Sequence, residues 1–92
     1  MIVRIMTENQ YRMTDDQMRQ VDRLDDDLEA ALRNNDVALF RSSLAALTDY
    51  IRTSGELVPV DELVPSNVIV PAPDMSLEEA REHFKSFTMP PA

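Results

Sequence analysis

Asp22, Asp25, Asp26 and Glu29 stand within eight residues of one another in the run VDRLDDDLE. On a helix at 100° per residue they occupy an arc of about 100°, which the spacing places opposite the apolar stripe. Asp22 and Asp26 form an unfavourable like-charge pair four residues apart, whereas Glu29 and Arg33 have the spacing of a favourable one. Such a face has three readings. It is a solvated helix surface, or a docking surface for a basic partner, or a divalent-metal site. Uncompensated like charge costs about a few tenths of a kcal/mol per pair, and an arriving cationic patch relieves it. The metal reading is poorly supported. Asp25-Asp26-Asp27 lacks the alternate spacing and the central glycine of a calcium-binding loop, and adjacent helical residues diverge too far to share one ion.

Other chemistry has little to stand on. His83 is the single histidine, with no cysteine and no second histidine to complete a metal site. One glycine, Gly55, cannot build a phosphate-cradling loop or a nucleophile elbow. The sequence therefore predicts no enzyme, no cofactor and no resident metal. A second surface suggests itself on the next helical segment, where Leu39, Ser43, Ala46 and Tyr50 make a row beside the main apolar stripe. That row either packs internally or serves as an association surface with Tyr50 as anchor and Ser43 and Ala46 admitting close approach.

These residues sit in a chain of 92 residues, long enough for one core and too short for two. We therefore expect a single domain over residues 1–92 with a frayed tail at residues 88–92. Seventeen acidic residues against nine basic ones give a net charge of −8. A field of that sign repels nucleic acid and anionic lipid alike, so neither is expected as a direct ligand. No run approaches the roughly 20 apolar residues of a membrane span, and without cysteines a reducing compartment is compatible. The expected location is the cytoplasm, with any membrane association made through a partner.

The elements that must position these groups can be read in order. MIVRIM and the YRM run, separated by Thr7-Glu8-Asn9-Gln10, predict a β-hairpin in which Asn9 best tolerates a left-handed backbone. Thr14 with Gln17 is a capping box, and Val21, Leu24, Leu28, Ala31 and Leu32 carry a helix to about Arg33. Asn34-Asn35-Asp36 breaks it and caps a second helix with the stripe Val37, Phe40, Leu44, Leu47 and Ile51. Gly55 falls where a left-handed C-cap is wanted. A proline-stiffened crossing follows, holding Pro59, Pro65, Pro71 and Pro73, with a short strand at Asn67–Val70. Ser76 with Glu79 is another capping box and opens a terminal helix bearing Leu77, Ala80, Phe84 and Phe87. The expected class is α+β: an N-terminal β-hairpin, an antiparallel helical hairpin, the crossing with its short third strand, and a C-terminal helix.

Four stretches in this order, MIVRIMTENQYRM, LDDDLEAAL, FRSSLAAL and DELVPSNVIVPAPDMSLEEAR, resemble the PspA-associated protein family, PspAA, over nearly the whole chain. The last is the most specific, joining a DELxPS turn, an apolar strand, Pro, Asp and a SLEE capping box. Two positions depart from the family pattern. Glycine is usual in the early turn where Thr7-Glu8-Asn9 stands, and Asp is common where Asn67 follows the PS pair. The resemblance implies a small non-catalytic accessory of PspA, the coiled-coil effector of the phage-shock envelope-stress response. It also implies a PspA-like coiled-coil partner whose basic segments could meet the acidic helix. The alternative is a structural homo-oligomer that uses a sheet edge or the Leu39-to-Tyr50 row.

Overall fold

The computed structural model describes residues 1–62 and 64–87, the last five by their backbone. The α+β class is observed. Strands β1 (Ile2–Ile5), β2 (Gln10–Arg12), β3 (Glu56–Leu57) and β4 (Val68–Val70) form one sheet in the order β3-β2-β1-β4. Helices α1 (Asp15–Asn34) and α2 (Val37–Ser54) form the expected hairpin, and α3 (Leu77–Phe87) closes the described chain.

Alternation along the strands sorts the two faces of the sheet. β1 and β2 pair antiparallel with Val3 opposite Tyr11 and Arg4 opposite Gln10. β1 and β4 run parallel with Val3 opposite Val68 and Ile5 opposite Val70. Val3, Ile5, Tyr11 and Val70 thus meet the helical layer, where Leu28, Phe40, Leu44, Leu47 and Ile51 are buried with them. Arg4, Gln10 and Arg12 belong to the other face. Asn67 completes the seam between β1 and β4: its amide donates to the Ile2 carbonyl at 2.8 Å, and its Oδ1 accepts from the Ile2 amide at 2.8 Å. An aspartate there could make the same acceptance, so this departure from the family pattern keeps its structural task.

The helix ends follow the sequence. The Gln17 amide donates to Thr14 Oγ1 at 3.1 Å while Gln17 Oε1 accepts from the Thr14 amide at 2.8 Å. Asp36 Oδ1 accepts from the Leu39 amide at 3.0 Å, and Ser76 with Glu79 forms the third cap reciprocally. Gln17 has a second task, donating from Nε2 to the Ser54 carbonyl at 2.7 Å and so tying the start of α1 to the end of α2.

Three local expectations are corrected. Asn9 is not the left-handed residue of the hairpin turn; Thr7 is, at φ 65°. The Glu8 amide closes that turn by donating to the Ile5 carbonyl at 2.9 Å, which places the positive φ two residues earlier than composition suggested. Gly55 does cap α2, but with φ −76° and ψ 159° it is extended. Its glycine is required by space, since a Cβ would lie 2.6 Å from Met13 Sδ, 2.8 Å from the Ile51 carbonyl oxygen and 2.9 Å from Tyr11 Cβ. The left-handed cap occurs instead at Asn35, φ 53°, ending α1. Finally, the crossing begins with a strand: Glu56 and Leu57 pair with Arg12 and Tyr11, so the Val68–Val70 strand is the fourth in chain order. The tail at 88–92 and the side chains of Phe84 and Phe87 lie outside the described residues.

Candidate functional site

Residues Asp22, Asp26 and Asp27 are exposed on α1, and Asp25 and Glu29 are half buried. None of Asp22, Asp25, Asp26 and Glu29 makes an ion pair among the described residues. The bordering arginines do not neutralise them. Arg19 is turned to Asp16, Arg23 donates to Gln20 Oε1 at 2.9 Å, and the expected Glu29 to Arg33 pair is not formed. An exposed pair of this spacing is worth at most about 0.5 kcal/mol, little against the entropy of two long side chains.

Asp25 departs from the expected face. It does not stand opposite the apolar stripe but at its edge. Its helical neighbours at four before, three after and seven to either side are Val21, Leu28, Met18 and Leu32, all buried. That spacing was present in the sequence and is the signal that marks it. Burial, followed by the charges of Glu29, Asp26 and Asp22, pushes its carboxyl from 3.8 up to about 6. The cluster thus holds one carboxyl, Asp25, that burial makes harder to ionise, next to the half-buried Glu29 and the exposed Asp22 and Asp26.

The α2 row is less continuous than its spacing suggested. Ser43 is buried, donating to the Leu39 carbonyl at 2.6 Å and the Phe40 carbonyl at 3.3 Å. Leu39 and Tyr50 are half buried against the core, and Ala46 is exposed. The hydroxyl of Ser43 is therefore satisfied within its own helix, and the accessible part of the row is Ala46 with the outer edges of Leu39 and Tyr50.

A feature that sequence reasoning missed lies on the other side of the sheet. The described residues of the crossing, 58–62 and 64–65, lie over the outer face and leave a groove of about 440 Å³ whose walls include Arg4, Asn9, Gln10, Val60 and Val64. Gln10 fastens it, donating from Nε2 to the Val64 carbonyl at 2.9 Å and to Ser66 Oγ at 2.8 Å. Two acidic residues line this groove and both are engaged. Glu8 accepts from Arg52 at 2.8, 3.0 and 3.1 Å, hydrogen bonds that raise the guanidinium above its ordinary range, and Glu62 pairs with Arg12. Nothing in the local sequence signals this arrangement, because its partners are about 50 residues apart.

Among the described residues no three Asp, Glu or His groups converge as metal ligands, and no helix is long and apolar enough to cross a membrane. The His83 side chain lies outside the described residues. A family model described as PspA-Associated protein matches residues 1–91 of the chain. Neither the curated proteins nor the solved structures contain a match.

Proposed function

The chain belongs to the PspA-associated protein family, and from that premise we propose that it is a non-catalytic accessory of a PspA-type membrane-stress system. It acts by protein binding. The acidic face of α1, Asp22, Asp25, Asp26 and Glu29, docks against a basic segment of a PspA-like coiled-coil protein. The observation that carries this reading is a cluster of four carboxyls without cationic partners among the described residues, one of them raised to about 6. A cationic partner relieves the mutual repulsion and favours the ionised form of Asp25, so part of the binding energy is already stored in the free protein. The accessible part of the α2 row, Leu39, Ala46 and Tyr50, would extend the contact with apolar surface, and the buried Ser43 would support it from beneath.

The net charge of −8 supports the same arrangement. A protein repelled by anionic lipid reaches the membrane through its partner rather than by its own surface, so its place is the cytoplasm and the inner membrane face. The test is an interface map. Isotope-labelled protein is titrated with the purified PspA-like protein of the same cell, and amide shifts or broadening are expected along residues 22–29. A footprint that leaves α1 untouched refutes the proposal.

A further inference from the structure

We propose that the groove on the outer face of the sheet is a second binding site, one that receives an acidic side chain from an extended protein segment. Arg4 is the receiving group, and Val60 with Val64 forms the apolar wall beside it. The inference stands on the charge arrangement. Glu8 is paired with Arg52, which Asp49 also approaches at 3.4 Å, and Glu62 with Arg12, which Glu56 also approaches at 3.9 Å, so Arg4 is the guanidinium lining this groove that has no carboxylate partner among the described residues. Arg4 is half buried, and its described hydrogen bond is a single one, from Nη1 to the Glu8 carbonyl at 3.2 Å. A guanidinium carries five N–H donors in a fork that matches a carboxylate, so most of its capacity is unspent. Arg23, Arg33, Arg41 and Arg81 also lack ion pairs among the described residues, but the first three are exposed and water serves them, and the half-buried Arg81 donates to the Leu32 carbonyl at 2.7 Å and to Asn35 Oδ1. Arg4 is half buried in the groove, where a carboxylate gains more than it would at an open surface.

The shape and the remaining groups indicate a peptide rather than a small free acid. Val60 is 88% exposed at the rim, with Pro59 and Pro65 exposed beside it, an apolar border that a lone carboxylate would leave uncovered. Asn9 also lines the groove, with its side-chain amide free of hydrogen bonds among the described residues. An amide can donate to and accept from one peptide group, as backbone does. A carboxylate, a flanking apolar side chain and a main-chain amide therefore each have a counterpart. The helical layer covers the opposite face of the sheet, so this site and the α1 face can be occupied together, and an accessory of this form joins a basic segment to an acidic one.

The test uses the full isotope-labelled chain and two blocked peptides, Val-Glu-Val and Val-Gln-Val. The glutamate peptide is expected to shift the amides of residues 4, 8–10, 58 and 60–62 and to bind about tenfold more tightly than its glutamine counterpart, the worth of one charge-assisted pair. Arg4→Gln should erase that preference. Val60→Asp, at a position too exposed to affect folding, should weaken the glutamate peptide by about tenfold through like charge at the rim. Equal binding of the two peptides overturns the proposal. So does a response to sodium acetate as strong as to the glutamate peptide, which assigns the groove to free carboxylates, or a response confined to α1. Neither Arg4 nor Val60 belongs to the acidic helix, so failure here leaves the α1 interface standing, and the reverse holds too.

Discussion

Replacing Asp25 by Asn isolates the property that distinguishes the α1 cluster. In the folded chain the carboxyl is pushed from 3.8 to about 6, mainly by burial among the apolar residues at the edge of the stripe. A raised folded pKa means that between the two values the native state binds a proton the unfolded chain has released, so stability falls as pH rises through this window. Above pH 6 the full cost is present, about 3 kcal/mol at 1.36 kcal/mol per pH unit. Solvent reaching a half-buried group reduces that to about 1–2 kcal/mol. The amide of Asn mimics the protonated acid in size and carries no charge. Asp25→Asn should therefore raise the unfolding free energy by about 1–2 kcal/mol at pH 7.5 and leave it nearly unchanged at pH 3.5, below both pKa values. Urea titrations of both proteins at the two pH values measure the difference, with equal slopes confirming that the unfolded states are alike. An equal gain at both pH values, or destabilisation at pH 7.5, would refute the assignment of a strained carboxylate.

Further outcomes are expected elsewhere in the fold. Gly55→Ala places a methyl 2.6 Å from Met13 Sδ and 2.8 Å from the Ile51 carbonyl oxygen, so calorimetry should show a loss of about 1–3 kcal/mol despite the ordinary φ at that position. Thr14→Ala removes the acceptor of the α1 cap and should lower stability by about 1 kcal/mol by the same method. Gln10→Ala cuts the two side-chain hydrogen bonds that Gln10 makes to the crossing, and exchange of the non-proline amides in residues 60–66 should accelerate roughly tenfold while exchange in α2 is unchanged.

Local chemistry made much of the fold legible. All three helix starts were readable because a cap is a contact between residues three apart, as Thr14 with Gln17, Asp36 with Leu39 and Ser76 with Glu79 show. The apolar stripes predicted which faces meet except at Val37, which opens α2 and is 55% exposed, and Pro65 with Pro71 bounded the Val68–Val70 strand. Less legible was anything decided by a distant neighbour. β3 has only two residues and exists because β2 offers it an edge, so no pattern of its own could reveal it. Gly55 looked like a conformational glycine and is a spatial one, because the crowding atoms belong partly to Tyr11 and Met13. For the candidate sites the division is similar. The acidic cluster was visible by composition, and the edge position of Asp25 by spacing, whereas the Arg4 groove depends on a crossing more than 50 residues away folding back over β1 and β2.

Binding of a basic segment of a PspA-like protein by the α1 carboxylates would be governed by charge. Its most direct test is the dissociation constant of that complex at about 50 and about 200 mM salt, for the wild type and for Asp22→Asn/Asp26→Asn/Glu29→Gln. We expect the wild-type complex to weaken markedly with salt, and the neutralised variant to bind at least about tenfold more weakly at low salt with most of its salt dependence gone. A variant that binds as tightly as the wild type, with the same dependence on salt, rules out the acidic face of α1 as the docking surface.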